Sequence, residues 1–135
     1  MKGQRDAAEG LLLKAHNDLF AAETVIVTGE ALDTVAFHAQ QTAEKSLKAL
    51  LVLQAVEYPL THDLARLLRL ALAHYAALAA YEPELDRFAL YGVIVRYDQT
   101  IFPSLDEARE LLVIARQMYD YAMSVVTPSE DSLNT

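Results

Sequence analysis

FHAQQTAEKSLKALL, residues 37–51, is the stretch that decides how the chain folds. Ala39, Ala43, Leu47 and Leu50 recur in it at steps of three and four, the spacing of one face of an α-helix. With Leu32 and Ala36 they define the inward stripe of a helix from about Glu30 to Val56. That stripe accounts for the helix but not for Gln40, Gln41, Glu44, Lys45 and Lys48, which crowd its middle. Glu44 and Lys48 have the spacing and order of a favourable i,i+4 ion pair, and Lys45 is within reach of Gln41. The set is either a solvated face, a surface that holds a ligand or partner, or a dimer contact.

Helical periodicity extends to both sides. Leu12, Ala15, Leu19, Ala22 and Ile26 predict a first helix over about Asp6 to Thr28, which Gly29 ends at little conformational cost. A connection this short makes the first two helices antiparallel neighbours. Pro59 breaks the pattern, and Thr61 is placed to cap a third helix running to about Ala80. Leu64, Leu67, Ala71 and Leu78 lie on one face of it and Leu70, Ala73 and Ala77 on another. That distribution predicts a central helix or one partly in a subunit interface. Pro83 starts a shorter helix to about Tyr97. RYDQTIFP reads as a loop, and SLDE at Ser104 to Glu107 as a capping box opening a last helix to about Val126. The fold class expected is all-α, an up-and-down bundle of four or five helices over residues 1–126, followed by a disordered polar tail at 127–135.

With 135 residues, 53% of them hydrophobic, the chain suits one domain with one core. It contains no cysteine, which excludes disulfides and thiolate chemistry. No signal-peptide pattern and no run of about 18 apolar residues is present, so the expectation is a cytoplasmic protein with no membrane partner. A formal charge of −8 argues against gripping nucleic acid over the whole surface. Residues 38–81 are the exception, holding Lys45, Lys48, Arg66 and Arg69 against Glu44, Glu57 and Asp63. An anion site therefore belongs in this segment, and a small ligand suits it better than a long polyanion. No set of histidines or carboxylates has metal-ligand spacing, so neither a metal nor a cofactor is expected.

Helix lengths place Lys48, His62, Arg96 and Tyr97 at one end of the bundle, where the last helix also begins. Arg96 beside Tyr97 is a common way to hold a phosphate and stack a base, or else Arg96 satisfies carbonyls and bridges Asp98. His62 either locks the connection before the third helix or contacts a ligand. His38 is read as packed or functional, and His16, His74, Tyr119 and Tyr121 as structural.

AHNDL at 15–19, AFHAQQTAEKSLKALL at 36–51, THDL at 61–64, RY at 96–97 and EARELLVIARQMYDY at 107–121 resemble, in order and spacing, the HEPN domain. The form it is similar to is the small stand-alone prokaryotic protein. The resemblance implies a helical bundle that forms a homodimer and is often encoded with a minimal nucleotidyltransferase. It also implies a role in nucleotide binding or in toxin–antitoxin pairs. Many HEPN proteins are metal-independent ribonucleases marked by an Arg followed four to six residues later by His near the start of the last helix. Arg96 sits near that place, but Thr100, Ile101 and Phe102 occupy the positions of the His. Arg69 and His74 match the bare spacing from what the periodicity places mid-way along the third helix.

The first reading is therefore a non-catalytic homodimeric module that binds a nucleotide or a nucleotidyltransferase partner. Its ligand contacts are Lys45, Lys48, His62, Arg96 and Tyr97, with Gln41 and Glu44 fixing the lysines. The alternatives are a ribonuclease-like toxin that acts on RNA through Arg96 and an unrecognised acid–base group, which the missing His disfavours, and a purely structural dimeric adaptor.

Overall fold

The structure, a computed structural model, describes residues 2–91 and 102–128. Its elements are α1 (Lys2–Ile26), α2 (Leu32–Leu53), α3 (Leu64–Leu72), a 3-10 helix (Ala76–Glu84), α4 (Leu85–Ala89) and α5 (Leu105–Val126). No strand occurs among the described residues, and the all-α reading holds. Residues 92–101, which include Arg96, Tyr97 and most of the expected RYDQTIFP loop, lie outside the described residues. So do residues 129–135 of the expected tail.

Helix α2 is the centre of the bundle. It packs along α1 and α5 and meets α3 and α4 with the rest of its surface. Val35, Ala36, Ala39, Ala43, Leu47, Ala49, Leu50 and Leu51 are fully or almost fully buried. Ala8, Ala15 and Ala22 alternate with Leu12 and Leu19 on the facing stripe of α1, and the small residues let the two helices approach closely. Arg5 donates to the Val126 carbonyl, and Arg116 reaches Glu23 at 3.2 Å. Those contacts join the start of α1 to the end of α5 and the end of α1 to its middle, so α1 and α5 run antiparallel.

Two connections have left-handed backbone. Gly29 has φ 72°, as its place after α1 predicts, and Ala31 at the start of α2 has φ 52°. At the other end of α2, Ala55 has φ 56°, its N–H bonds to the Val52 carbonyl at 2.9 Å and that of Val56 to Leu51 at 3.0 Å. This paired bond pattern closes a helix end, ordinarily around a glycine. The chain then doubles back along α2, which brings His62 to the level of Gln40 and Glu44.

The third helix departs most from expectation. Its N-cap is Asp63, whose carboxylate accepts from the Arg66 N–H at 3.3 Å; Thr61 instead accepts from the Asp63 N–H at 3.0 Å. It ends at Leu72 rather than near Ala80, because Tyr75 turns inward. The Tyr75 hydroxyl donates to the Leu50 carbonyl at 3.3 Å and accepts from Gln54 at 3.1 Å, and its ring meets Tyr121 edge-on. Satisfying that buried hydroxyl outweighs the helix propensity of LALAHYAALAA. Leu64, Leu67, Ala71 and Leu78 are buried as their spacing requires, but Ala73 and Ala77 are exposed, so the second apolar face is not covered. The helix most enclosed by its neighbours is α2, whose polar residues disguise it in the sequence.

Pro83 lies in the 3-10 helix, two residues before α4, instead of opening a helix itself. Ser104 caps α5 as expected, accepting from the Glu107 N–H at 3.1 Å. The Glu107 carboxylate accepts a 2.9 Å bond from the Tyr91 hydroxyl, tying α5 to the segment after α4.

Candidate functional site

The polar band of α2 is largely inside the protein. Gln40 and Thr42 are fully buried, Ser46 is 1% exposed and Glu44 3%. The two hydroxyls are satisfied within the helix: Thr42 donates to the His38 carbonyl at 2.8 Å and Ser46 to that of Thr42 at 2.7 Å. Every buried side-chain polar atom among the described residues has a partner. What remains accessible on α2 is one half-exposed stripe that includes His38, Gln41, Lys45 and Lys48.

Glu44 organises one side of that stripe. One carboxylate oxygen accepts from His62 Nδ1 at 2.9 Å and from Gln40 Nε2 at 3.2 Å; the other accepts from Lys48 Nζ at 3.0 Å. Gln40 also donates to the His62 carbonyl at 3.4 Å, and Gln41 donates to Gln40 at 2.6 Å. The Lys48 ammonium lies 5.8 Å from the centre of the Tyr58 ring, a cation–π contact that holds it from the connection after α2. With the carboxylate as acceptor, His62 Nδ1 carries the proton and Nε2 faces outward, unengaged by any described residue. The His62 side chain is 60% exposed above a carboxylate that is 4% exposed. The sequence-based i,i+4 pair of Glu44 and Lys48 is present, but as a buried network rather than a solvated face.

Lys45 turns the other way. Its ammonium reaches Asp18 of α1, not Gln41, and the second Asp18 oxygen accepts from His38 Nδ1 at 2.8 Å. Of the expected contacts, Gln41, Glu44, Lys48 and His62 thus form one chain and Lys45 belongs to a neighbouring cluster. Arg96 and Tyr97 lie outside the described residues. Arg69, exposed in the last turn of α3, and His74, exposed in the turn after it, do not lie mid-way along a helix. His16 is exposed against Tyr119, with ring centres 6.2 Å apart. Burial pushes the Tyr119 hydroxyl up from its usual range, and does the same for Tyr121.

Sequence reasoning missed Asp18 and named Gln40 only as part of the polar band, not among the site residues. Both carry a signal: Asp18 lies three residues from Ala15 and four from Ala22, and Gln40 four from Ala36 and three from Ala43. Each therefore falls on a stripe of small buried residues, where a polar side chain needs a partner.

Two open grooves, of about 490 and 500 Å³, flank the outer face of α5 and share Arg109, Val113 and Gln117. They lie away from the α2 stripe. In the first, Arg87 is committed to Glu84 at 2.9 Å and to Glu110, and these two carboxylates hold its guanidinium above its ordinary range. No group of three or more histidine or carboxylate ligands suits a metal among the described residues. No helix there is long and apolar enough to cross a membrane.

Fold and site together define a helical bundle whose central helix carries a network of paired carboxylates, histidines and lysines. A family model described as HEPN domain matches residues 8–125, and the chain belongs to that family. No curated protein and no solved structure matches it.

Proposed function

We propose that this protein is a non-catalytic HEPN module that holds a nucleotide on the accessible stripe of α2, alone or together with a minimal nucleotidyltransferase partner. The observation that supports it most is Glu44 dividing its carboxylate between Lys48 and His62, whose side chains are 15% and 60% exposed. The carboxylate and the Gln40–Gln41 chain fix these groups before any ligand arrives, which spares the ordering cost of binding. Lysine N–H groups and an imidazole edge are suited to phosphate oxygens, and Arg96 and Tyr97 remain the proposed contacts for a further phosphate and a base.

A thermal-shift panel of nucleotides tests the reading, with Lys48→Ala in parallel. A ligand at 100 times its Kd stabilises by about 2.7 kcal/mol, a shift of several degrees for a domain of this size. A shift in wild type that is lost in the variant supports the site. A flat panel rejects the nucleotide and turns the search to a co-purifying nucleotidyltransferase.

One observation favours a second, catalytic reading. His62, held at Nδ1 by Glu44 with Nε2 exposed, is an acid–base group that the sequence motif lacks. In a ribonuclease-like toxin it would act on RNA with Arg96; growth arrest abolished by His62→Ala supports that role, and harmless expression with intact RNA rejects it.

The proposed homodimer is best served by α1. Leu13, Phe20 and Val27, seven residues apart in turn, are 64%, 65% and 85% exposed. A spacing of seven keeps Leu13 and Phe20 near one line of α1, the pattern of a packed seam, with Val27 in the turn just past its end.

A further inference from the structure

The site proposed above rests on Glu44, Lys48 and His62. A second cluster of the same make-up lies across Gln41. Asp18 gives one oxygen to His38 Nδ1 and the other to the Lys45 ammonium, as Glu44 serves His62 and Lys48. All four bases are accessible to some degree: the side chains of His38, Lys45, Lys48 and His62 are 28%, 24%, 15% and 60% exposed. The carboxylates beneath are 12% and 4% exposed. Lys45 and Lys48 stand three residues apart on α2, so their Cβ atoms are about 5–6 Å apart on one surface. The two clusters are thus adjacent and face the same solvent.

Charge counting decides what they take. With a neutral imidazole, each cluster sets one ammonium against one carboxylate and is formally neutral. A proton on Nε2 leaves it with one net positive charge and an outward N–H donor. The charged groups facing His38 are Asp18 from α1 and Lys45 from its own helix, with the Phe37 ring at its edge. Those facing His62 are Glu44 and Lys48 from α2. No described cation is free of its carboxylate at either place, so an anion gains most from a cluster whose imidazole is protonated.

We infer that Asp18, His38 and Lys45 form a second phosphate subsite, and that the two clusters together hold a polyphosphate chain with proton uptake at the two imidazoles. The inference rests on the proposed ligand role of the Glu44 cluster. A single phosphate satisfies one cluster; a diphosphate or triphosphate spans both. The carboxylates act as counter-ions that keep the empty site neutral and set the lysines and rings in place.

Isothermal titration calorimetry of inorganic triphosphate and of orthophosphate into the full chain, in two buffers of different ionisation enthalpy, reads affinity and proton uptake together. Triphosphate is expected to bind about tenfold or more tightly than orthophosphate. Both anions are titrated at about pH 6 and about pH 8, and triphosphate binding is expected to carry net proton uptake. His38→Gln, which keeps a donor for Asp18, weakens triphosphate about tenfold, removes part of the proton uptake and leaves orthophosphate bound at the Glu44 cluster alone. Asp18→Asn, which removes a counter-charge, tightens triphosphate, an outcome that a purely structural Asp18 does not give. Circular dichroism confirms that both variants are folded. Triphosphate binding that neither variant alters, in affinity or proton uptake, overturns the second subsite and leaves the Glu44 cluster standing. Failure of both anions to bind wild type at either pH overturns that cluster's ligand role and the inference together.

Discussion

Glu44 is a carboxylate almost out of water with three side-chain partners, and its energetics follow from that position. Removing one member of a buried ion pair leaves the other charge uncompensated, a loss of about 3–5 kcal/mol. Lys48 keeps 15% of its side chain exposed, so the lower end of that range applies. Glu44→Ala is expected to cost about 3 kcal/mol in urea unfolding with an unchanged m-value. Arg116→Ala, which removes a pair with Glu23 between half-exposed side chains, is expected to cost no more than about 1 kcal/mol. Equal losses in the two variants would sink the assignment of Glu44 as the electrostatic centre.

Tyr91 gives a pH dependence of opposite origin. Burial first, then its hydrogen bond to Glu107 and the charge of that carboxylate, push its hydroxyl up to about 12. The unfolded value is about 10, so the fold favours the protonated form. The stability it contributes is present below about pH 10 and is lost as pH rises through about 12. Tyr91→Phe should therefore flatten the fall in stability across that interval, measured by alkaline unfolding. An unchanged alkaline profile counts against the buried bond.

At the scale of elements, the end of α2 is closed by a bond pattern that suits glycine, yet Ala55 occupies its left-handed position. An L-residue there pays roughly 1–2 kcal/mol for the contact between its Cβ and the backbone. Ala55→Gly is expected to stabilise by about 1 kcal/mol, after the glycine's larger entropy in the unfolded chain is counted, and to raise Tm by a few degrees. A drop in Tm would show that Ala55 makes packing contacts worth more than its strain. The same substitution leaves the turn that returns His62 to Glu44 in place, so ligand binding is expected to be unaffected.

At the scale of the whole molecule, the exposed line of Leu13 and Phe20 on α1, continued by Val27 just past its end, separates a dimeric protein from a monomeric one. Phe20→Glu puts a charge at the middle of that line, and desolvating it in an interface is unfavourable. Sedimentation is expected to show a wild-type dimer and a Phe20→Glu monomer with unchanged helix content. A wild-type monomer at high protein concentration, or a dimer indifferent to the substitution, rejects α1 as the seam.

Periodicity by itself determined that the chain is all-α, where α1 and α2 lie, and which Leu and Ala residues form their inward stripes. Those features depend on spacing along one helix, and spacing is local. The SLDE cap that opens α5 and the left-handed Gly29 in the turn after α1 were legible for the same reason, each being settled within a few residues. Only the tertiary structure decided that α3 stops at Leu72, because Tyr75 finds Leu50 and Gln54 across the bundle. Only it made α2 the buried centre, because the partners that let Gln40 and Glu44 leave water come partly from the connection before α3, through His62. Lys45 is within reach of Gln41 in the sequence and pairs with Asp18 in space, twenty-seven residues away. A polar residue on a helix announces that it needs a partner, but the partner's identity depends on which helices pack side by side.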